Sequence, residues 1–327
     1  FLANLILAFP VILLFYLLVT PEIAETGLPQ YLAIVLSLFP LAFLVVLLNA
    51  RYHVQPARRN WMVAAILLIG GWTAYETAYQ LFSSRTNYPA FNIPIVCLPA
   101  SINNNLPGSE LSIGADTALN NIVEAVDKIK DSAVALKRVF VVEVMGRKCG
   151  YLALMSGLAT GAERVFINED GVSLHDMVDE VNRLVYGFRH GKRLGLVIRN
   201  EEANPVYTTG FMCALFEEEG KDLFDVRQSI LGHLQEGGNP SPFDRIQATR
   251  FSTRSIDFLI KKVESGSTDC AFIGLQGKEI KFHNLEDFPR MADLKNQRPK
   301  DQWWLSLKPI MEVLSQPCPH SEMMNEM

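Results

Sequence analysis

Ser101-Ile102-Asn103-Asn104-Asn105-Leu106-Pro107-Gly108 is the stretch whose reading decides the fold. Before it, residues 92–98 form a short apolar run rich in branched side chains and bounded by polar residues, which predicts a buried strand. After it, Ala115, Leu119, Ile122, Val123, Val126 and Ile129 recur at helical spacing and make one apolar stripe. A strand, a polar loop and a helix in this order place the loop where open α/β sheets bind their ligands, outside the carboxyl ends of the strands.

The same alternation continues downstream. Residues 138–144, 164–167, 194–199 and 226–231 read as strands, and a helix opens at Tyr151 after the turn Met145-Gly146-Arg147-Lys148-Cys149-Gly150. Residues 174–188, 208–219 and 243–263 read as helices. The expected fold class is therefore α/β, with an incomplete doubly wound, mostly parallel sheet covered on both faces. Trp303 and Trp304 are expected to be core or interface anchors rather than a ligand platform.

Composition divides the 327 residues in two: 1–88 as a hydrophobic segment and 89–327 as a mixed-charge α/β domain. No charged residue occurs in 1–21 or in 26–50, and each run matches the ~20 residues that cross a hydrocarbon core, so two membrane spans are expected. Residues 61–75 are shorter and read either as a third span or as a helix lying at the surface. A basic leading region and a small-residue cleavage site are missing, which argues against a cleaved signal, and Phe1 in place of Met suggests a fragment. Arg51, Arg58 and Arg59 favour a cytoplasmic loop between the second and third runs. A third span would then put the α/β domain outside, so either the third run does not cross or the two parts did not evolve together and meet at an artificial join near residues 83–91.

The formal net charge of −5 and the lack of a basic stripe with interleaved aromatics exclude a general nucleic-acid binder. Five widely spaced cysteines, Cys97, Cys149, Cys213, Cys270 and Cys318, show no metal-ligand spacing and fit free thiols in a reducing compartment.

The stretches PASINNNLPGSELSIGADTALN, VFVVEVMGRKCGYLAL, IRNE, FDVRQSILGHLQEGGNPSPFDR and PKDQWW, in this order, resemble the phosphofructokinase family over about residues 91–316. The likeness is greatest to the carboxy-terminal half of the long, internally duplicated enzymes. It implies a partial phosphofructokinase domain in which that half serves as a regulatory sugar-bisphosphate site, partnered by a catalytic half or by further copies of itself. The family reaction converts ATP and fructose 6-phosphate, with Mg²⁺, to ADP and fructose 1,6-bisphosphate in the cytoplasm.

That reaction needs a base for the sugar hydroxyl and carboxylates to place the metal. Catalytic relatives carry Asp where this chain has Asn103 and Asn105, and an amide cannot take the proton, a loss of roughly 10²- to 10⁴-fold. The resemblance therefore implies no catalytic residue and no metal ligand here, and neither ATP nor Mg²⁺ held by this chain alone. It implies instead a fructose phosphate or bisphosphate held by Ser101, Asn103, Asn104, Asn105, Arg138, Met145, Gly146, Arg147, Glu201, Arg227, His233 and Arg298. Arginine suits the phosphates because its planar fork matches their oxygens.

Two departures weaken one phosphate subsite. Glu236 stands where relatives carry Arg or Gln, and Gln297 takes the place of a phosphate-contacting arginine, with Arg298 one position later as its candidate substitute. The family's glycine-rich turns and first strands, expected upstream of Asn92, are read as missing, which would leave the sheet with unpaired edges. The alternatives are a membrane-anchored sugar-phosphate sensor, an artificial fusion, and a residual kinase that uses another carboxylate.

Overall fold

A computed structural model describes residues 65–133 and 136–314. The two charge-free runs in residues 1–50, and Cys318, lie outside the described residues. Two four-stranded sheets organise the chain, rather than the single sheet expected. The first has the order β1 (Ile66–Gly70), β2 (Ile95–Pro99), β7 (Cys270–Gln276), β8 (Glu279–Asn284), with only the β7–β8 pair antiparallel. The second is wholly parallel and has the order β4 (Arg164–Phe166), β5 (Leu194–Asn200), β3 (Arg138–Val144), β6 (Asp225–Ile230). A short antiparallel hairpin, β9 (Ala292–Asp293) with β10 (Arg298–Pro299), completes the strands.

The described part of the third run, residues 65–75, is not a membrane-spanning helix. Ile66–Gly70 is a strand parallel to β2, and the chain turns at Gly70 and Gly71 into helix α1 (Trp72–Ser83). The physical reason is the Gly70-Gly71 pair, which breaks the apolar run after the four branched residues Ile66, Leu67, Leu68 and Ile69. Among the described residues no helix is long and apolar enough to cross a membrane. A first strand and a glycine turn are thus present upstream of Asn92, against the expectation that both were missing.

Nor does residue 83 to 91 mark a break in the packing. Arg85 ties the connection together, donating to the carbonyls of Phe91 (3.1 Å) and Thr268 (2.8 Å). Trp72, Tyr75 and Ala78 of α1 pack with Ile95, Cys97, Phe272 and Phe288 under the first sheet. On its other face Leu67, Val96, Leu98, Ala271 and Ile273 meet Phe251 and Leu259 of α6 (Pro242–Ser265).

In the second sheet the period-2 alternation of β3 sorts its side chains cleanly. Phe140, Val142 and Val144 face α2 (Ala115–Ala133) and α3 (Tyr151–Thr160), whereas Val139 and Val141 face α4 (Leu174–Arg189) and α5 (Thr209–Gly220). Trp304 is buried in the first of these cores, edge-on to Tyr151 with ring centroids 5.4 Å apart. Trp303 is exposed and donates its indole N–H to the Glu110 carbonyl (3.0 Å).

Asp244, in the first turn of α6, caps a different helix. It accepts from the Gly114 and Thr117 amides, both at 2.9 Å, at the start of α2. Because α6 covers the first sheet and α2 the second, this bond fixes the two layers beside one another and sets the height of the loop between β2 and α2.

Candidate functional site

The loop of residues 101–114 rests on β7. Gly108 has φ of +80°, and a Cβ there would lie 2.5 Å from the Phe272 ring. A Cβ at Gly274 would fall 2.0 Å from the Gly108 carbonyl oxygen, so two glycines permit the approach. Inside the loop Asn104 is buried, in a left-handed conformation with φ of 50°. Its Nδ2 donates to the Glu110 carbonyl and its Oδ1 accepts from the Ser112 amide, both at 2.8 Å. Both ends of this amide are used up in holding the loop.

Asn105 is also buried; its Oδ1 accepts from the Ser101 hydroxyl (2.8 Å) and its Nδ2 donates to the Gln297 carbonyl (2.9 Å). Asn103 differs, because its buried Oδ1 has no partner within the protein. Ser101 lies against the glycine turn, and a Cβ at Gly71 would sit 3.7 Å from its hydroxyl oxygen.

The Met145–Arg147 turn faces this loop from the carboxyl end of β3. Gly146 has φ of +136°, and a Cβ there would meet the Cys149 carbonyl oxygen at 2.4 Å, so only glycine fits. One carboxylate oxygen of Glu201 accepts the Gly146 (3.1 Å) and Arg147 (2.6 Å) amides, and Gln235 accepts the Met145 amide (3.0 Å). The Cys149 thiol points at the Asn104 carbonyl, with sulfur and oxygen 3.9 Å apart, and burial pushes its pKa up. Loop, turn and Glu201 therefore form one cluster at the carboxyl ends of the strands.

Beneath Glu201 lies a buried charge pair. Arg199 donates to Glu143 (2.9 Å) and to the carbonyls of Glu201 (2.9 Å) and Asn204 (2.7 Å), while Thr209 donates its hydroxyl to the same Glu143 oxygen. Arg298, which the resemblance offered as a phosphate ligand, is largely enclosed. It donates to the Lys148 carbonyl (2.7 Å) and Asn168 (3.1 Å), with Glu169 at 3.5 Å and Asp293 at 3.7 Å. His233 is exposed and pairs with Glu236 at 2.9 Å, a bond that raises its pKa.

Arg138 and Arg227 are not part of this cluster in the same chain. Arg138 opens β3, opposite Asp225 in the β6 register, and Arg227 stands opposite Phe140, so the two arginines share one face. Seven residues separate Arg138 from Met145, about 23 Å of extended strand. Arg227 is exposed and pairs with Asp225 at 3.4 Å, and the buried Nε of Arg138 has no partner.

The donor set does not fit a Mg²⁺–nucleotide site at the loop. Residues 101–109 carry no carboxylate, and Asn105 is committed to protein partners at both ends. Sequence reading missed the Gly70-Gly71 turn, although a branched run followed by Gly-Gly and a helical stripe was its signal. It also missed the β7–β8 hairpin, signalled by Gly277 between two strand-like runs.

A wound α/β protein with a polar loop and a glycine turn gathered at its strand ends defines the class. A family model for phosphofructokinase matches residues 52–259. The platelet-type ATP-dependent 6-phosphofructokinase of Rattus norvegicus is 41% identical over 263 residues, 77% of this chain and 33% of that protein. ATP-dependent 6-phosphofructokinase 1 of Caenorhabditis elegans is 38% identical over 265 residues, 77% of this chain and 33% of that protein. Phosphofructokinase from Saccharomyces cerevisiae superposes with a TM-score of 0.73 at 35% identity, covering 76% of this chain and 34% of that one. The Pichia pastoris phosphofructokinase in the T-state gives 0.72 at 33% identity, over 77% of this chain and 31% of that one. The chain belongs to the phosphofructokinase family. It spans about a third of the length of these relatives.

Proposed function

We propose that this chain is a noncatalytic, regulatory part of a phosphofructokinase, comparable to the carboxy-terminal half of the long enzymes, and that it binds a fructose phosphate or bisphosphate without reacting with it. The observation that carries the reading is the amide loop. Asn103 and Asn105 offer no base and no charge for a metal, and the amide of Asn105 is occupied by Ser101 and Gln297. ATP and Mg²⁺ belong to the reaction of the catalytic relatives, and residues 101–109 supply no carboxylate as base or metal ligand for it.

Asn103, the Met145–Arg147 turn and Glu201 contact the sugar. One Glu201 oxygen already holds two backbone amides, which leaves the other free for a hydroxyl. Arg138 lies about 23 Å and Arg227, level with Phe140, about 16 Å along the strand from this cluster, so they bind a phosphate of a ligand seated on another subunit or on the catalytic half. A homo-oligomer or a heteromeric complex follows, and a cytoplasmic location with it. Glu236 sits on His233 and offsets its charge, which weakens that phosphate contact.

Calorimetry with fructose 6-phosphate, fructose 2,6-bisphosphate and ATP tests this on the full chain mixed with a catalytic phosphofructokinase half. Bisphosphate binding that disappears in Arg227→Ala, with no added ATP binding, is the expected result. ATP turnover by the chain itself would overturn it. A membrane-anchored sensor is the second reading, favoured by the charge-free residues 1–21 and 26–50. Recovery of the chain in the carbonate-washed membrane fraction of its own cells, without a phosphofructokinase partner, would select it.

A further inference from the structure

The two asparagines that stand in place of catalytic carboxylates have different surroundings, and one of them does a job that a carboxylate cannot do. We propose that Asn105 is a positioning residue: its amide latches the β9–β10 hairpin onto the 101–114 loop and, through Arg298, sets the Met145–Gly150 turn. The partner of Nδ2 is the main-chain carbonyl of Gln297 at 2.9 Å, which can only accept. Residue 105 must therefore present a donor at that atom, and the opposite end accepts from Ser101. An aspartate there would set a charged oxygen against a carbonyl oxygen in a buried place, and the contact would open.

Gln297 needs holding. It has φ of 53°, a left-handed conformation in a non-glycine residue, directly after the Asn296 amide that bonds to Asp293 (2.8 Å) and directly before Arg298. Arg298 reaches from the hairpin to the Lys148 carbonyl in the turn and to Asn168 after β4. The path from Asn105 thus runs by hydrogen bonds through Gln297 and Arg298 into the turn whose amides Glu201 collects. Asn103 makes no such bond, and its Oδ1 is left unpartnered. Exchange of carboxylate for amide accordingly converts one position from chemistry to fastening. The effect on sugar binding rests on the proposed function, whereas the latch does not.

Hydrogen–deuterium exchange of the ligand-free full chain, read over residues 292–299, tests it. Asn105→Ala removes the bond to Gln297, together with the one from Ser101, and is expected to raise exchange of the hairpin about tenfold. Asn105→Asp is expected to raise it further at pH 8 and to fall back towards the parent near pH 5, where the buried, protonated acid donates again. Asn103→Asp is expected to leave the hairpin unchanged. Unchanged exchange in Asn105→Ala, or equal opening in Asn103→Asp, would overturn the proposal. Should Asn105→Asp fail to fold, the alanine variant and the Asn103→Asp control decide it. A chain with the expected exchange pattern but no sugar-phosphate binding would lose the proposed function and keep the latch.

Discussion

Replacing Arg199 by Met should unlatch the Glu201 loop from the second sheet. Arg199 is almost wholly buried, and its guanidinium serves Glu143 and the carbonyls of Glu201 and Asn204. Met fills much of the stem volume but leaves the Glu143 carboxylate with only the Thr209 hydroxyl, and two carbonyls without donors. Breaking one partner of a buried pair costs about 3–5 kcal/mol, because the remaining charge is uncompensated. Adding Glu143→Gln removes that charge while keeping an acceptor for Thr209. The double variant should then retain a cost of about 2 kcal/mol, roughly 1 kcal/mol for each lost carbonyl bond. Urea titration followed by tryptophan fluorescence measures both, and the double-mutant cycle should show a favourable coupling of about 2 kcal/mol. Arg199→Met within about 1 kcal/mol of the parent, or a double variant as unstable as the sum of the singles, would refute the reasoning.

Removing residues 1–88 deletes β1 and α1, and with them the burial of Leu67, Trp72 and Tyr75. At roughly 1.5–3 kcal/mol per large side chain, the loss is comparable to the whole net stability of a domain. The remainder should therefore show no cooperative thermal unfolding by calorimetry, and a sharp transition of a soluble monomer would count against the assignment. Restoring both carboxylates with Asn103→Asp and Asn105→Asp should yield no phosphoryl transfer in a coupled ADP assay; measurable turnover would return the chain to the catalytic class. Burial pushes the Glu180 carboxyl up from 4.5 to about 7, with Arg183, Arg164 and Lys192 opposing and Glu163 adding to the rise. The folded state then holds the proton more tightly than the unfolded one, so this contribution is complete below about pH 4.5 and is lost as pH rises through about 7. Glu180→Gln should narrow the stability gap between pH 5 and pH 8 by up to about 3 kcal/mol, and denaturation curves identical in pH dependence to the parent would contradict it.

The sequence by itself determined the elements whose period is strong. Residues 138–144 appear as β3 with the same bounds, and α3 opens at Tyr151, because alternation in one and a glycine turn before the other are local signals. It also determined that residues 101–109 lack carboxylates, since residue identity alone decides which groups can take a proton. Only the tertiary structure decided where residues 66–83 belong. An apolar run of that length suits a buried strand and helix as well as a membrane segment, and β2 with Phe272 and Phe288 settles the choice by supplying the partner. Tertiary structure likewise set Arg138 and Arg227 apart from the loop–turn cluster, because they lie toward the start of β3 and its neighbour β6 whereas the cluster gathers where β3 ends. It enclosed Arg298 against the Lys148 carbonyl, Asn168 and Glu169, all more than 100 residues away in the chain, and it gave Asn104 and Asn105 protein partners where the sequence offered free amides. Hydrogen-bond partners are set by which chain segments meet, and that is decided by packing across the whole fold, beyond the reach of any local pattern.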